Sequence, residues 1–324
     1  MTIFRPNRYT SRKARSCLFP WLLLALILVG SAQAATHEIT DSKGRRIHVS
    51  QPFTRIISLY GAHTENLFAL GLNKEIIGVS VNDAYPALVE SKKRYSYHDD
   101  PERFMAARPD LVLIRPMIDN GYPKFIRQLE QFGIQVVSLQ PASVEEMYDY
   151  WLDLGKLTGR EEEAAQLVSD FKKKISHVRQ QVQSRVATRK QVYFQAIHSR
   201  MKTFTPGAMP IFALETAGGI NVASDARASR NTNIAVYGKE QILEKASRID
   251  VFLAQKGIMN PVNVDMILHE PGFEIIKAVK TGQVFLIDEN LVSRPVPRLY
   301  QGIVTIGKLL YPDVFVPLDM KKEQ

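Results

Sequence analysis

Residues 158–186, TGREEEAAQLVSDFKKKISHVRQQVQSRV, form the stretch that decides the fold. After Gly159 this stretch contains no glycine or proline, and its apolar residues recur in steps of three and four, which is one stripe on a helix. Thr158 and Glu161 have capping-box spacing, so we expect Thr158 to cap the helix. The pattern predicts one helix about 39 Å long, the width of a small domain. The stripe consists of Ala164, Val168, Phe171, Ile175, Val178 and Val182.

The first 34 residues predict a secretory signal peptide. Basic residues without any acid precede a short apolar run at 18–29, and the small residues GSAQA follow at 30–34. The run is shorter than the ~20 residues that a membrane-spanning helix needs. We therefore expect cleavage after Ala34 and an exported mature protein.

Removal of this segment changes the chemistry that the chain can offer. Its five basic residues leave with it, so the formal net charge falls from +9 to +4, and nucleic-acid binding is not implied. Cys17, the only cysteine, leaves as well. The mature chain is therefore expected to have no disulfide, thiolate metal site or cysteine nucleophile. About 290 residues remain, enough for two domains.

Short β-rich runs alternate with helical patterns on the N-terminal side of the long helix. Their near-continuous apolar strands predict a parallel sheet covered on both faces. An alternating pair around the turn at 41–44 predicts a hairpin before the sheet. The predicted hairpin strands are 36–40 and 46–50, the sheet strands are 55–59, 76–80, 111–114 and 135–139, and the helices are 63–70, 101–107 and 124–132.

The C-terminal side repeats this alternation. A weak internal echo links the two sides, because ERFM at 102–105 leads to RPDLVL at 108–113, and EQIL at 240–243 leads to RIDVFL at 248–253. Two similar αβ lobes on one long helix predict a cleft, a favoured place for a ligand. The predicted strands are 191–197, 250–254 and 284–287, and the helices are 208–217, 239–245, 272–279 and 299–310.

Ligand-binding residues are expected at the carboxyl ends of the strands, where sheets of this kind bind their ligands. The loops there are rich in tyrosine, histidine and arginine. Arg230 falls in a loop that the pattern does not place. The candidates are Tyr60, His63, Tyr85, Tyr97, His98, Arg115, His198, Arg200, Arg294, Arg298 and Tyr300.

Several segments resemble the helical-backbone (class III) periplasmic substrate-binding proteins of ABC importers, which are receptors for ferric siderophores, haem and cobalamin. The resemblance covers roughly residues 36–317, and four motifs occur in the family's order. These are RIISL with TENLFALGL and IGVS (55–59, 64–72, 77–80), ARPDLVL (107–113), LTGRE (157–161) and VSRPVPRL (292–299).

The resemblance implies two Rossmann-like lobes with parallel sheets, joined by one backbone helix, with the ligand between them. It divides the chain into a signal peptide (1–34), an N-terminal lobe (35–142), a pre-hinge segment with the backbone helix (143–188) and a C-terminal lobe (189–324). It also implies a monomer in the periplasm that docks on an inner-membrane permease. Each lobe of the family presents a surface glutamate to the permease, and the matching positions are Glu102 and Glu240.

The ligand is expected to be an iron complex, a ferric siderophore-type chelate, with no cofactor. Clustered arginines suit an anionic, oxygen-rich complex because guanidinium groups pair with such oxygens. Tyr60, Tyr85, Tyr97 and Tyr300 offer flat amphipathic surface for an organic chelate. Cobalamin or haem is an alternative ligand. Cobalamin receptors of this family often line the cleft with tryptophan, whereas Trp151, the only tryptophan of the mature chain, is expected to pack beside the backbone helix.

Direct binding of a metal ion is another alternative. His63, His98 and His198 lie at predicted strand ends or cleft loops, and imidazole suits zinc, nickel, iron and manganese. Glu65, Asp99 or Asp100 would supply a carboxylate.

Enzymes form the main rival class, since two-lobed αβ chains also include chelatases and hydrolases. The sequence contains no G-x-S-x-G elbow, glycine-rich phosphate loop or H-E-x-x-H motif. We therefore expect a binding protein rather than an enzyme.

Overall fold

A computed structural model of the chain describes residues 1–4, 37–228 and 232–315. The chain divides into two compact units, Met1–Ala35 and Thr36–Gln324, and every element below belongs to the second unit. Apart from residues 1–4, the predicted signal peptide and its cleavage site lie outside the described residues, as does Arg230. Within the described ranges, no helix combines the length and the apolar character needed to cross a membrane.

The N-terminal lobe contains the predicted parallel sheet. Its five strands run in the order β5-β4-β3-β6-β7, and every neighbouring pair is parallel. All four residues of strand β6, which lies between β3 and β7, are buried, as a sheet covered on both faces requires. The antiparallel hairpin β1–β2 is also confirmed. The elements are β1 His37–Thr40, β2 Arg46–Val49, β3 Ile56–Ser58, α1 Gly61–Ala69, β4 Ile76–Ser80, β5 Lys93–Tyr95, α2 Pro101–Ala107, β6 Leu111–Ile114, α3 Pro116–Gly121, α4 Pro123–Gln131 and β7 Gln135–Ser138.

Two long helices follow, α5 (Val144–Thr158) and α6 (Glu161–Arg185). Helix α6 is the predicted backbone helix, and its six buried residues are those of the predicted stripe. The predicted cap is wrong, because Thr158 is the last residue of α5 and its hydroxyl donates to the Leu154 carbonyl at 2.7 Å. Gly159, at φ +65°, ends α5, so the chain turns and α6 begins after Arg160 without a side-chain cap.

The C-terminal lobe contains a six-stranded mixed sheet. Its strands run in the order β11-β9-β8-β12-β13, and β10 pairs with β8. The predicted parallel arrangement holds for β8, β10, β12 and β13, whereas β9 runs antiparallel to both β8 and β11. The elements are β8 Gln191–Ile197, β9 Lys202–Phe204, α7 Met209–Thr216, β10 Ile220–Asn221, β11 Ile234–Val236, α8 Lys239–Glu244, β12 Val251–Lys256, α9 Val264–Leu268, α10 Lys277–Lys280, β13 Val284–Asp288, α11 Glu289–Val292 and α12 Leu299–Leu310.

The internal echo in the sequence has a physical basis in two aspartates. Asp110, just before β6, accepts hydrogen bonds from the backbone amides of Thr54 and Arg55 at 2.8 and 2.9 Å. Asp250, just before β12, accepts one from the amide of Gln191 at 2.8 Å. In each lobe the carboxylate thus accepts from backbone amides at the start of a neighbouring parallel strand or just before it, which would otherwise lack an acceptor.

One apolar core extends through both lobes. Buried side chains of the two sheets join the apolar faces of α5 and α6 in a single cluster, which includes Leu113, Trp151, Phe171 and Phe194. Gly155 lets α5 and α6 approach closely, because a Cβ there would lie 2.7 Å from that of Ala164. The two helices are therefore part of the core that the lobes share, rather than an exposed linker.

Candidate functional site

The lobes contact each other through residues 293–298, which we call the crossing loop. It follows β13 and α11 at the carboxyl edge of the C-terminal sheet. The carbonyl of its Pro295 accepts hydrogen bonds from Asn66 of α1 at 2.9 Å and from the Trp151 indole at 3.1 Å, and all of these groups are buried. Trp151 is fully buried in the shared core. The crossing loop is therefore fixed against the N-terminal lobe.

Arg298 forms a bidentate ion pair between the lobes. Its Nε and Nη2 donate to the two carboxylate oxygens of Glu65, each at 2.6 Å, and its guanidinium lies 3.7 Å from the centre of the Tyr85 ring. The Glu65 side chain is only 4% exposed. A carboxylate so deeply buried requires the guanidinium as its partner, and the predicted role of Arg298 in ligand binding stays a prediction.

Arg294 crosses to the N-terminal lobe and lies over the start of α1. A Cβ on Gly61 would be 2.7 Å from Arg294 Nη1 and 3.0 Å from Asp83 Oδ1, so the two charged groups lie close against the start of the helix. Within the part of the chain that the structure describes, the Arg294 side chain makes no hydrogen bond and no ion pair shorter than 4.0 Å. Arg294 thus remains available for a ligand.

Arg115 and Tyr60 also lie at the start of α1. Tyr60 is the residue before the helix and makes no capping hydrogen bond, and the first turn contains no acidic residue. The Arg115 guanidinium lies 5.0 Å from the Tyr60 ring centre. Burial raises the pKa of the Tyr60 hydroxyl, and the charges of Arg115 and Arg294 offset only part of that effect, so the hydroxyl stays protonated.

Asp83 lies beside this positive group. Burial raises its pKa, whereas hydrogen bonds from the Thr64 hydroxyl at 2.5 Å and from the Ser80 amide, and the charge of Arg294, act in the opposite direction. Together, the start of α1, Arg115 and Arg294 carry more positive charge than Asp83 offsets. We call the start of α1, Arg115, Arg294 and Tyr60 together the positive centre. This centre suits an anionic ligand.

His63 lies inside the protein, away from solvent. It is fully buried, with Nδ1 2.6 Å from the Tyr150 hydroxyl and Nε2 2.8 Å from the Ile114 carbonyl oxygen. Burial lowers its pKa to about 4, so the ring is neutral at neutral pH. Both ring nitrogens thus have partners within the protein, which a local pattern cannot reveal, and the expected ligand role of His63 stays a prediction.

The structure does not bring the three histidines of the alternative metal site together as one group. His198 is buried in the other lobe, with Nδ1 2.9 Å from Gln195 Oε1 and Nε2 3.5 Å from Glu270, and burial lowers its pKa. His98 is exposed and forms no metal-binding group with the other two. Across residues 37–228 and 232–315, no three histidine, aspartate, glutamate or cysteine side chains come together as a metal site would require.

Tyr97 and His98 instead form an aromatic group with Tyr122. The ring centres lie 4.4 Å apart for Tyr97 and His98, 4.8 Å for the two tyrosines and 5.1 Å for His98 and Tyr122. All three follow carboxyl strand ends of the N-terminal sheet, after β5 or after β6 and α3. A flat ligand surface could pack against them.

Three other candidates lie elsewhere or are not tested. Tyr300 does not join the positive centre, because its ring faces Lys174 of the backbone helix at 5.6 Å. Arg200 is exposed in the turn after β8, and its role stays a prediction. Tyr85 is 43% exposed, with its ring against Arg298.

Glu102 and Glu240 occupy matching places in the two lobes. Each is exposed and is the second residue of a short helix, after Asp100-Pro101 in α2 and Gly238-Lys239 in α8. Both helices lead into a central parallel strand, β6 or β12, so both start at the carboxyl edge of their sheet. The two glutamates therefore lie on the edges from which the ligand loops extend.

Several site residues were not singled out from the sequence: Gly61, Asn66, Asp83 and Tyr122. Gly61 and Asp83 follow the strand ends of β3 and β4, so their place in the loops was a usable signal. Asn66 pairs with Pro295, 229 positions away, and no local pattern reports such a contact.

Comparison with known proteins gives consistent results. The family model described as "Periplasmic binding protein" matches residues 56–291. A Bacillus subtilis protein named "Uncharacterized ABC transporter substrate-binding lipoprotein YvrC" is 26% identical over 279 residues, 86% of either chain. A Vibrio cholerae "Vitamin B12-binding protein" is 24% identical over 254 residues, 78% of this chain and 87% of the relative.

Among solved structures, a protein from Staphylococcus epidermidis superposes with a TM-score of 0.70 and 28% identity. It covers 81% of this chain and 100% of its own, and is described as a possible iron-binding (periplasmic solute-binding) protein.

Proposed function

The chain belongs to the periplasmic binding protein family, and on that premise we propose that it is the substrate-binding component of an ABC importer, which captures an anionic iron chelate between its lobes. The observation that carries the proposal is the positive centre. Its two guanidinium groups and uncapped helix start would pair with the anionic oxygens that surround ferric iron in a siderophore-type chelate. Binding and release of such a chelate require no catalysis by the protein.

Two comparisons support the importer and the iron. The Bacillus subtilis relative is named an ABC transporter substrate-binding protein, and the Staphylococcus epidermidis structure is described as possibly iron-binding. The predicted signal peptide supports a location in the periplasm, where such a receptor meets its ligand.

Cobalamin is the second candidate ligand. The Vibrio cholerae relative is named for vitamin B12 binding, and the Tyr97–His98–Tyr122 group would give a corrin ring a flat surface. The positive centre favours the anionic chelate, because cobalamin carries no cluster of anionic oxygens that would pair with two guanidinium groups. Titration of the mature protein with both ligands separates the candidates.

Delivery is proposed to occur through Glu102 and Glu240, which would bind basic residues of an inner-membrane permease. Both are exposed at corresponding helix starts, one in each lobe. Such a pair would seat the two lobes on the two halves of a permease.

Charge reversal tests this role. Glu102→Lys with Glu240→Lys should abolish uptake of the ligand while leaving its Kd unchanged, because both residues are exposed. Glu244→Lys, at the opposite end of α8, is the matched control and should leave uptake intact. Equal loss of affinity in the double variant, or full uptake by it, would reject the docking assignment.

A further inference from the structure

The loop after β12 presents two apolar side chains to solvent. Ile258 is 87% exposed and Met259 is 53% exposed, whereas the next residue, Asn260, is only 2% exposed. Single exposed apolar residues are common on protein surfaces and carry no meaning by themselves. Here the informative feature is how firmly the loop is held.

Glu289, the first residue of α11, binds the backbone of this loop. Its carboxylate accepts hydrogen bonds from the Ile258 amide at 3.0 Å and from the Met259 amide at 3.4 Å. The Glu289 side chain also lies close against Gly257, where a Cβ would displace it. The backbone below the apolar tip is therefore fixed to the helix that leads into the crossing loop.

Asn260 fixes the other side of the loop. Its side-chain oxygen accepts from the His198 amide at 2.9 Å, and its side-chain nitrogen donates to the Gln255 carbonyl at 2.7 Å. These buried bonds connect the loop to the carboxyl ends of β8 and β12. A preorganised loop loses little conformational freedom when a ligand binds.

The tip lies on the side of the lobe that contains Arg294. Strand β12 is paired with β8 and β13, and the crossing loop follows β13. Gln255, next to last in β12, accepts a hydrogen bond from Ser293 at 2.6 Å, one residue before Arg294. Glu240, in contrast, follows β11 at the far edge of the sheet.

We propose that Ile258 and Met259 form an apolar wall of the ligand site, and that the ligand is an anionic iron chelate with an extended aromatic or aliphatic surface rather than a compact hydrophilic one. The positive centre would hold the anionic oxygens. The wall and the Tyr97–His98–Tyr122 group would pack against the apolar part of the ligand from the two lobes. Sites of this kind combine a mostly apolar lining with few charged groups. The inference rests on the function proposed above.

Two ferric complexes test the wall. One is a ferric tricatecholate, which is anionic and aromatic, and the other is ferric dicitrate, which is anionic but has no apolar surface. Wild-type protein should bind the tricatecholate more tightly. The double variant Ile258→Ser with Met259→Ser should lose roughly tenfold or more in affinity for the tricatecholate and keep its affinity for dicitrate, because only the apolar contact is removed.

Three controls make the result specific. Ile258→Leu with Met259→Leu should keep the tricatecholate affinity. Ile275→Ser, at a residue 47% exposed in a turn before α10, should have no effect on either complex. Arg294→Ala should weaken both complexes, because it removes the charge that both require. Unaltered thermal melting of the serine variant shows that the loop change leaves the fold intact.

The proposal of an apolar wall is wrong if the serine variant keeps its affinity for the tricatecholate, or if its affinity for dicitrate falls equally. If the serine variant loses uptake but keeps its affinity, Ile258 and Met259 contact the permease instead of the ligand, and the proposal is also wrong. Failure of the wild type to bind either ferric complex would reject the iron proposal itself. In that case, weaker cobalamin binding by the serine variant would support the apolar wall with a different ligand. Unchanged cobalamin binding would reject both the wall and the iron chelate.

Discussion

Arg294 is the residue on which the proposed ligand chemistry depends most. It extends from the crossing loop to the start of α1, where residue 61 is glycine and leaves room for the guanidinium. Its neighbour Pro295 is fixed by two buried hydrogen bonds, so the base of the side chain has a defined position. A cation held in place in this way binds an anion without a large cost of ordering.

Replacement of Arg294 by alanine should therefore weaken an anionic ferric chelate by ~1.5–3 kcal/mol, the range for a hydrogen bond to a charged group. Isothermal titration with the mature protein measures this change. Arg46→Ala, at a side chain 73% exposed in the β1–β2 hairpin, is the control and should bind as wild type does. An unchanged Kd for Arg294→Ala would count against the positive centre.

His63 makes folding depend on pH. Its pKa in the folded protein is about 4, below the value of 6.5 for an ordinary histidine, because burial disfavours the charged ring. The unfolded chain therefore binds a proton at a higher pH than the folded chain does. The stability that comes from the neutral ring is complete above pH 6.5 and is lost as the pH falls toward 4.

We expect His63→Gln to flatten the fall in unfolding free energy between pH 6.5 and 4 by about 3 kcal/mol at most. Urea denaturation at a series of pH values measures this slope. His48→Gln, at a side chain 76% exposed, should leave the slope unchanged. The same slope in His63→Gln as in wild type would show that other groups control the acid sensitivity.

The crossing loop is the element that determines how the lobes are connected. Its Arg298 pairs with Glu65 of α1, and both side chains are at least 85% buried. Removal of one partner from a buried pair leaves the other charge without compensation, which is costly. The pair should therefore hold the two lobes in one relative arrangement more strongly than a surface ion pair would.

A double-mutant cycle tests the pair. Glu65→Ala and Arg298→Ala should each lower the unfolding free energy by about 3 kcal/mol, and the double variant should lose clearly less than the sum. Urea denaturation gives all four values. The exposed pair Asp170 and Lys173 is the control, with a coupling near zero. Additive losses at Glu65 and Arg298 would mean that the two side chains do not stabilise each other.

The helices and strands differ in how far local sequence determines them. Helix α6 was predicted because its stripe repeats over 25 residues. Helix α5 was missed although Ser143 and Glu146 have capping-box spacing and make that hydrogen bond at 3.2 Å. Strands β9 and β11 have three residues each, too few for an alternation to be visible, so the antiparallel part of the second sheet could not be predicted.

The whole molecule places its site by contacts that are distant in the sequence. Strand ends and loops were enough to predict Tyr60, Arg115 and Arg294 as site candidates, because parallel sheets bind ligands at one edge. The partners of Arg298 and His63 lie 233 and 87 positions away, so only the folded chain reveals that these two side chains have partners within the protein. The sequence therefore indicates the sheet edge at which the site lies, whereas tertiary contacts decide which residues belong to the site.

The shared core determines what movement the molecule allows. Helices α5 and α6 both contribute buried side chains to one cluster with the two sheets, and the crossing loop joins the lobes a second time. A rearrangement of the lobes would expose this core and break buried hydrogen bonds. We expect the ligand to be recognised by a largely preformed site, so its chemistry should match the side chains described above.

Native mass spectrometry with metal analysis, applied to the protein purified from its own periplasm, tests the central claim most directly. The account predicts one iron per chain together with an anionic organic adduct, and a lower occupancy of both in Arg294→Ala. A bound corrin, a stoichiometric metal ion without an organic partner, or an adduct retained fully by Arg294→Ala would contradict it.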